Sequence, residues 1–214
     1  MVQWTYENAK RCPILTDVIV ATDSEDVAKI IRNIGGKVEL TPSELATGSE
    51  RVAYVSENYP EMDIIINLQG DEPFVKPHML EQLVSPYLAG ECPPMTTLAY
   101  PLDKTKYNQT GTVKVLTDLK QNALYFSRSP IPHYRTDVEA PVYNHMGIYA
   151  FTRDFLMVFK NLAKTPLETA ESLEQLRAME HGYKIRVCLT QEKTLEINTP
   201  EEYEEAQSFQ YSSI

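Results

Sequence analysis

The densest group of reactive side chains sits where an apolar run stops. Asp63-Ile64-Ile65-Ile66-Asn67-Leu68 has the pattern of a strand covered on both faces, and it ends in Gln69-Gly70-Asp71-Glu72-Pro73. A glycine turn at the carboxyl end of a buried strand carries two acids to the sheet edge where α/β proteins bind ligands. An acid there can hold Mg²⁺, which takes one or two carboxylates together with phosphate oxygens and water. A tight turn with solvated acids explains the same residues. Gly48-Ser49-Glu50-Arg51 puts an arginine in the first turn of a helix, where free N–H groups and the dipole favour an anion; a solvated arginine is the plainer alternative. Tyr125-Phe126-Ser127-Arg128 ends an apolar strand in a guanidinium suited to two-point grip of a carboxylate, or to an edge ion pair. In Asn144-His145-Met146-Gly147-Ile148-Tyr149 the alternation puts His145, Gly147 and Tyr149 on one face, where the histidine is either a hydrogen-bonded core residue or part of a site. Glu168, Glu171, Glu174 and Gln175, spaced by three and four, group acceptors along one side of an expected helix, a pattern shared by any solvated acidic face.

These groups need a scaffold, and the sequence outlines one. Val18–Ala21 reads as a strand, Ser24 as the N-cap of a helix carrying Val27, Ala28, Ile30, Ile31 and Ile34, and Gly35-Gly36 as its stop. Lys37–Leu40 predicts a second strand, Ser49–Asn58 a helix and Asp63–Leu68 a third strand. Met95–Leu102, Thr112–Thr117 and Asn122–Ser127 are strand-like but joined by short turn-rich links, which predicts antiparallel or mixed additions and a dimerisation region around residues 95–150. Helices are expected over Arg153–Leu162 and Glu168–Glu180, a strand over Lys184–Leu189, another over Thr194–Ile197, and a helix start at Thr199-Pro200. The whole, residues 1–214, reads as one α/β domain with a mixed, mostly parallel sheet flanked by helices.

Composition narrows the partners. With 214 residues, 43% hydrophobic and 23% charged, the chain is long enough for a sizeable core. A net charge of −10 without a basic stripe argues against nucleic acid. Cys12, Cys92 and Cys188 are widely spaced and form no Cys-x-x-Cys pair, the usage of a reduced cytoplasmic protein. No apolar stretch approaches the ~18 residues of a membrane span, so no membrane insertion is expected.

Taken in order, the motifs resemble those of the CMP-Kdo synthetases. Val20–Asp23 matches the family's IVATD, Thr47–Arg51 its SGTER and Gln69–Pro73 its QGDEP. The likeness continues through Thr97–Ala99, Val113–Val115, Ala123–Arg128, His145–Tyr149, Pro166–Glu168 and Leu173–Arg177. The resemblance implies a Rossmann-like nucleotide-diphospho-sugar transferase fold, a cytoplasmic homodimer, Mg²⁺ as cofactor, and the joining of CTP to the sugar acid Kdo to give CMP-Kdo and pyrophosphate for lipopolysaccharide biosynthesis. It also implies Asp71 and Arg51 as catalytic residues, Arg51, Gln69 and Asp71 on the nucleotide side, and Arg128, His145, Tyr149, Glu171 and Gln175 on the Kdo side. Two departures go with it. The family opens with a strand and a phosphate-gripping loop of the kind IPARxxSxRLPGKPL, whereas Met1–Glu7 resembles the helix that follows, so the expectation is a chain without that strand and loop, its two neighbouring strand edges facing an apolar slot. Asn198 stands where the family has its second metal-binding Asp, which weakens that ligand. An inactive homologue that keeps only sugar-acid binding or dimerisation, or a cytidylyltransferase for a related sugar acid, are the alternatives.

Overall fold

A computed structural model of the protein describes residues 1–137 and 140–193. The expected strand Thr194–Ile197, the helix start at Thr199 and the ligand Asn198 lie outside them. Along the chain run α1 (Val2–Lys10), β1 (Ile19–Thr22), α2 (Glu25–Asn33), β2 (Lys37–Leu40), α3 (Gly48–Ser56), β3 (Ile64–Asn67), α4 (Pro77–Leu88), β4 (Met95–Pro101), β5 (Lys114–Thr117), β6 (Ala123–Ser127), β7 (Tyr143–Thr152), α5 (Arg153–Phe159), α6 (Pro166–Glu171), α7 (Gln175–Glu180) and β8 (Ile185–Leu189). None of these helices is long and apolar enough to cross a membrane.

β7 is the spine of a six-stranded sheet. One edge pairs with β5 near its start and β3 near its end, and the other pairs with β4 throughout, all antiparallel. β8 lies parallel to β4, and β6 antiparallel to β5. It follows that β3, β4, β5 and β8 run one way and β6 and β7 the other, a mixed sheet in which most strands share a direction. Alternation along β7 divides the core. Met146, Ile148 and Ala150 pack with Leu80, Leu83 and Val84 of α4, while Tyr149 and Phe151 pack with Phe155, Phe159 and Leu176 of α5 and α7. A helix layer thus covers each face.

Local chemistry sets the ends of these elements. Ser24 caps α2 by accepting from the Val27 N–H, and Thr47 caps α3 by accepting from Glu50 N–H. Helix α4 carries no expectation from sequence, and it contains two prolines. Pro77 occupies its first turn, and the Gln82 carbonyl that Pro86 cannot bond accepts the Ser85 hydroxyl. The helix expected over Glu168–Glu180 is two helices. Ser172 is left-handed (φ 52°), and the chain turns a corner there with no Gly or Pro to announce it.

β1 and β2 form a separate parallel pair, held beside β3 by α3. Between β1 and β3 lies a cavity of about 740 Å³ lined by Ile19, Ala21, Ile64, Ile66, Val52 and Leu80 among others. The edges of β1 and β3 face each other across this slot. The isoleucines of β3, expected to be covered on both faces, are only half-buried along it. Asp63 C=O accepts from Arg153 N–H, so the antiparallel alternation turns the backbone of Ile65 and Asn67 to β7 and that of Ile64 and Ile66 into the slot. Thr22 C=O accepts from Thr41 N–H, which by the same alternation turns Ile19 and Ala21 toward the slot from the other side.

Hydrogen exchange checks this division. The amides of Ile64 and Ile66 should exchange roughly tenfold or more faster than those of Ile65 and Asn67 in the same strand. Equal protection of all four would mean that the β3 edge is paired.

Candidate active site

The carboxyl end of β3 and the start of α3 meet at one polar floor. Asn67 is buried, and its Nδ2 donates to Ser49 Oγ (3.1 Å) while its Oδ1 accepts from Gln69 Nε2 (3.2 Å). Gly48 makes room for Gln69: a Cβ at that position would lie 2.6 Å from Gln69 Nε2. Arg51, one turn on, is held by Asp23 Oδ2 (3.3 Å), by the Thr41 hydroxyl and by the Pro42 carbonyl, so it bridges the ends of β1 and β2 with one face in solvent. Asp71 follows in the turn, half-buried. Among the described residues its carboxylate has no hydrogen-bond or ion-pair partner, which leaves it open to a cation.

Across the sheet, Arg128 follows the last residue of β6, and its backbone N–H, Nε and one terminal nitrogen are committed. Its backbone N–H donates to Glu171 Oε2 (2.9 Å), its Nε to the Glu171 carbonyl (2.8 Å) and a terminal nitrogen to the Thr110 carbonyl (3.3 Å). The other Glu171 oxygen accepts from Ser127 Oγ (2.6 Å). Both oxygens of Glu171 are thereby occupied in fixing the strand end. Beneath lies Lys114, 0% exposed, its ammonium donating to the carbonyls of Gln109 (2.8 Å), Thr112 (2.6 Å) and Arg128 (2.5 Å). Burial holds its pKa below that of an ordinary lysine.

His145 and Tyr149 stand on one face of β7, as alternation predicts. The His145 ring meets Phe126 edge-on at 4.8 Å and Tyr149 at 5.6 Å. Its Nε2 lies 3.0 Å from Thr97 Oγ1, and that hydroxyl faces the carbonyls of Met146 and Ile148. Since the hydroxyl hydrogen goes to a carbonyl, the network assigns the ring proton to Nε2. Burial depresses the His145 pKa to about 3, so the ring is neutral at physiological pH. Tyr149 reaches further and donates to Gln175 Oε1 (3.0 Å).

The corner at Ser172 decides what the remaining acids do. Glu168 is clamped by Arg177 through two bonds, Nε to Oε2 at 2.9 Å and Nη2 to Oε1 at 2.5 Å, with Arg177 lying over the Phe159 ring. Burial would raise the Glu168 carboxyl, but the guanidinium holds it below the usual range. Glu171 turns to Arg128, and Glu174 and Gln175 turn to the floor. Glu174 Oε1 accepts from Ser49 Oγ (2.6 Å), and burial pushes its pKa up. Its Oε2 and Gln175 Nε2 are shielded and make no well-formed hydrogen bond among the described residues, although the Thr47 side chain lies close enough to the Glu174 carboxyl to counter part of the effect of burial. One acceptor and one donor so placed need a ligand or water. Glu174, Ser49 and Asn67 were not singled out as site residues from sequence: the first lay in an acidic pattern, the second in a helix-start motif, the third inside an apolar run.

Contacts thus run without a break from Phe126 through His145, Tyr149, Gln175, its chain neighbour Glu174, Ser49 and Asn67 to Gln69, two residues before Asp71. Comparisons with known proteins identify the family. The profile of the family described as Cytidylyltransferase matches residues 1–185. Proteins called 3-deoxy-manno-octulosonate cytidylyltransferase in Acaryochloris marina and Synechococcus elongatus are 54% and 46% identical, each match covering 98% of this chain and 86% of the relative. A solved CMP:2-keto-3-deoxy-manno-octonic acid synthetase complexed with CTP superposes with a TM-score of 0.94 at 36% identity, over 100% of this chain and 88% of that one. The 4-diphosphocytidyl-2C-methyl-D-erythritol synthase of Anaerococcus prevotii, 15% identical with a TM-score of 0.63, shares the fold.

Neutral His145 has a stability signature. Its pKa is about 3 in the folded chain against 6.5 for an unperturbed histidine, so below pH 6.5 the unfolded chain binds a proton that the folded chain refuses. Stability is therefore present above pH 6.5 and lost as pH falls toward 3. In urea unfolding between pH 6 and 4, a His145→Gln variant should show a shallower fall than the parent, by about 1.4 kcal/mol per pH unit. Parallel curves would mean that the ring titrates normally.

Proposed function

This chain belongs to the 3-deoxy-manno-octulosonate cytidylyltransferase family, and from that premise we propose that it joins CTP to Kdo, giving CMP-Kdo and pyrophosphate for lipopolysaccharide biosynthesis. The observation that carries the choice of acceptor is the pair of shielded, unpartnered atoms Glu174 Oε2 and Gln175 Nε2 beside the Tyr149–Gln175 bond. A polyhydroxylated acid offers hydroxyls that donate to the first and accept from the second, while its carboxylate suits Arg128. The opposite floor, with Arg51, Gln69 and Asp71, faces the nucleotide.

In the reaction the anomeric hydroxyl oxygen of Kdo bonds to the α-phosphorus of CTP as the bond from that phosphorus to the bridging oxygen breaks, the hydroxyl loses its proton, and pyrophosphate leaves. Such a displacement asks the protein to align two bound groups and to offset charge. His145, neutral and bonded to Thr97, shapes the acceptor wall rather than exchanging a proton. Arg128 is aligned by Glu171, and Arg51 brings positive charge to the start of α3. The residues present fit Mg²⁺ as cofactor. Among those described, no three His, Cys, Asp or Glu cluster into a ready cage, and Asp71 offers the single open carboxylate with which this ion, completed by phosphates and water, is satisfied. When bound, Mg²⁺ supplies charge to offset that developing on the phosphates. The protein works as a cytoplasmic homodimer through residues 95–150, a reading supported by the exposed Leu119, Leu124 and Tyr134 there.

Two substitutions test the assignments. Asp71→Asn should remove most pyrophosphate release at saturating Mg²⁺ while leaving thermal unfolding unchanged; near-normal turnover excludes Asp71 as the metal ligand. Arg128→Ala should raise KM for Kdo by roughly ten- to hundredfold more than KM for CTP, the expected loss of a charged carboxylate contact. Equal rises in both would make Arg128 a strand-end brace only.

A further inference from the structure

The polar floor does more than line the two substrate sites. Glu174, on the acceptor side, and Gln69, on the nucleotide side, are joined by a single file of hydrogen bonds: Ser49 Oγ donates to Glu174 Oε1 (2.6 Å), Asn67 Nδ2 donates to Ser49 Oγ (3.1 Å), and Gln69 Nε2 donates to Asn67 Oδ1 (3.2 Å). Every donor points the same way, from Gln69 toward Glu174. The two middle members are shut from solvent, Ser49 at 1% and Asn67 at 2% exposure, so water cannot replace a broken link. The ends are the parts that meet ligands. Glu174 keeps one shielded oxygen with no well-formed hydrogen bond among the described residues, and Gln69 is wedged against Gly48 with no space for a Cβ between them.

From this arrangement we propose that Ser49 and Asn67 are positioning residues that couple the two sites, so that occupation of the acceptor side tightens binding on the nucleotide side and the reverse. A ligand hydroxyl donating to Glu174 Oε2 draws charge from Oε1 and relaxes its hold on the Ser49 hydroxyl. With less drawn from its hydroxyl, Ser49 accepts less strongly from Asn67, Asn67 Oδ1 accepts less strongly from Gln69, and the second Nε2 hydrogen of Gln69 is left the better donor to an acceptor on the nucleotide. A polarised chain of this kind carries an energy that neither end has alone, and coupling between two sites is reciprocal by thermodynamic necessity. The inference rests on the assignment of Glu174 and Gln175 to the acceptor and of Gln69 to the nucleotide.

The test is calorimetric titration of the protein with a CTP analogue whose α–β bridging oxygen is a methylene, so that no pyrophosphate can leave, in Mg²⁺ with and without saturating Kdo. The ratio of the two dissociation constants reads the coupling, expected on the order of tenfold in the unaltered chain. Ser49→Thr, which keeps the hydroxyl, should retain it, and Ser49→Ala should bring the ratio to about one, whatever it does to each ligand bound singly. Asn67→Asp has the same shape but cannot donate to Ser49, and it should also reduce the ratio, which covers the case in which Ser49→Ala does not fold. Coupling that survives Ser49→Ala and Asn67→Asp, or its absence from an unaltered protein that binds both ligands singly, overturns the relay and leaves the proposed reaction standing. Failure of the unaltered protein to bind either ligand overturns both.

Discussion

Strand β7 is where the structure has least freedom. Its backbone must satisfy β4 along one edge and β5 and then β3 along the other, and its side chains feed both cores by alternation. A slip of one residue would exchange Met146, Ile148 and Ala150 for the residues that face α5 and α7, so register is fixed by two buried faces at once. His145 and Tyr149 inherit their places from that register. The β4 ladder absorbs one irregularity between Thr97 and Leu98, and this is also where the Thr97 hydroxyl meets the His145 ring.

Charge is arranged around this frame by burial and pairing together. Glu168 and Arg177 are both shielded and bonded in two places, the geometry in which an internal ion pair recovers its desolvation cost. Removing one partner would strand the other, so the pair acts as a latch on the α6–α7 corner. Lys114 meets the same problem with three carbonyls in place of an acid, joining the loop around Gln109–Thr112 to the strand end that carries Arg128. Acidic residues on the same short stretch therefore separate into distinct jobs: Glu168 a latch, Glu171 a brace, Glu174 a wall of the floor.

Much of the frame was legible because its signals are local. Lys37–Leu40 is a strand as its pattern says, Ser24 caps the helix that precedes it, and the β3 run stops at the Gln69–Pro73 turn. His145, Tyr149 and Gln175 are linked by direct contacts, as the alternation along β7 suggests for the first two. What escaped depends on tertiary partners. Helix α4 was not predicted, and its interior Pro86 is tolerated because the Gln82 carbonyl it leaves free accepts the Ser85 hydroxyl. The break at Ser172 has no local marker, and without it Glu171 and Glu174 share a face. Glu174 stands out only once the partners of its neighbours are known, since a shielded oxygen without a bond cannot be seen in a sequence.

Ser172 has a further consequence, for how this position can drift. A left-handed serine carries about 1 kcal/mol of backbone strain. Glycine would relieve it but would cost about 0.5–1 kcal/mol in extra entropy lost on folding. The two terms nearly cancel, so an exchange between them is close to neutral for stability while the corner keeps its shape. Asparagine, which tolerates the same region, lies on the same plateau. A β-branched residue does not, and its arrival would swing Glu174 and Gln175 away from Ser49 before any core residue had changed.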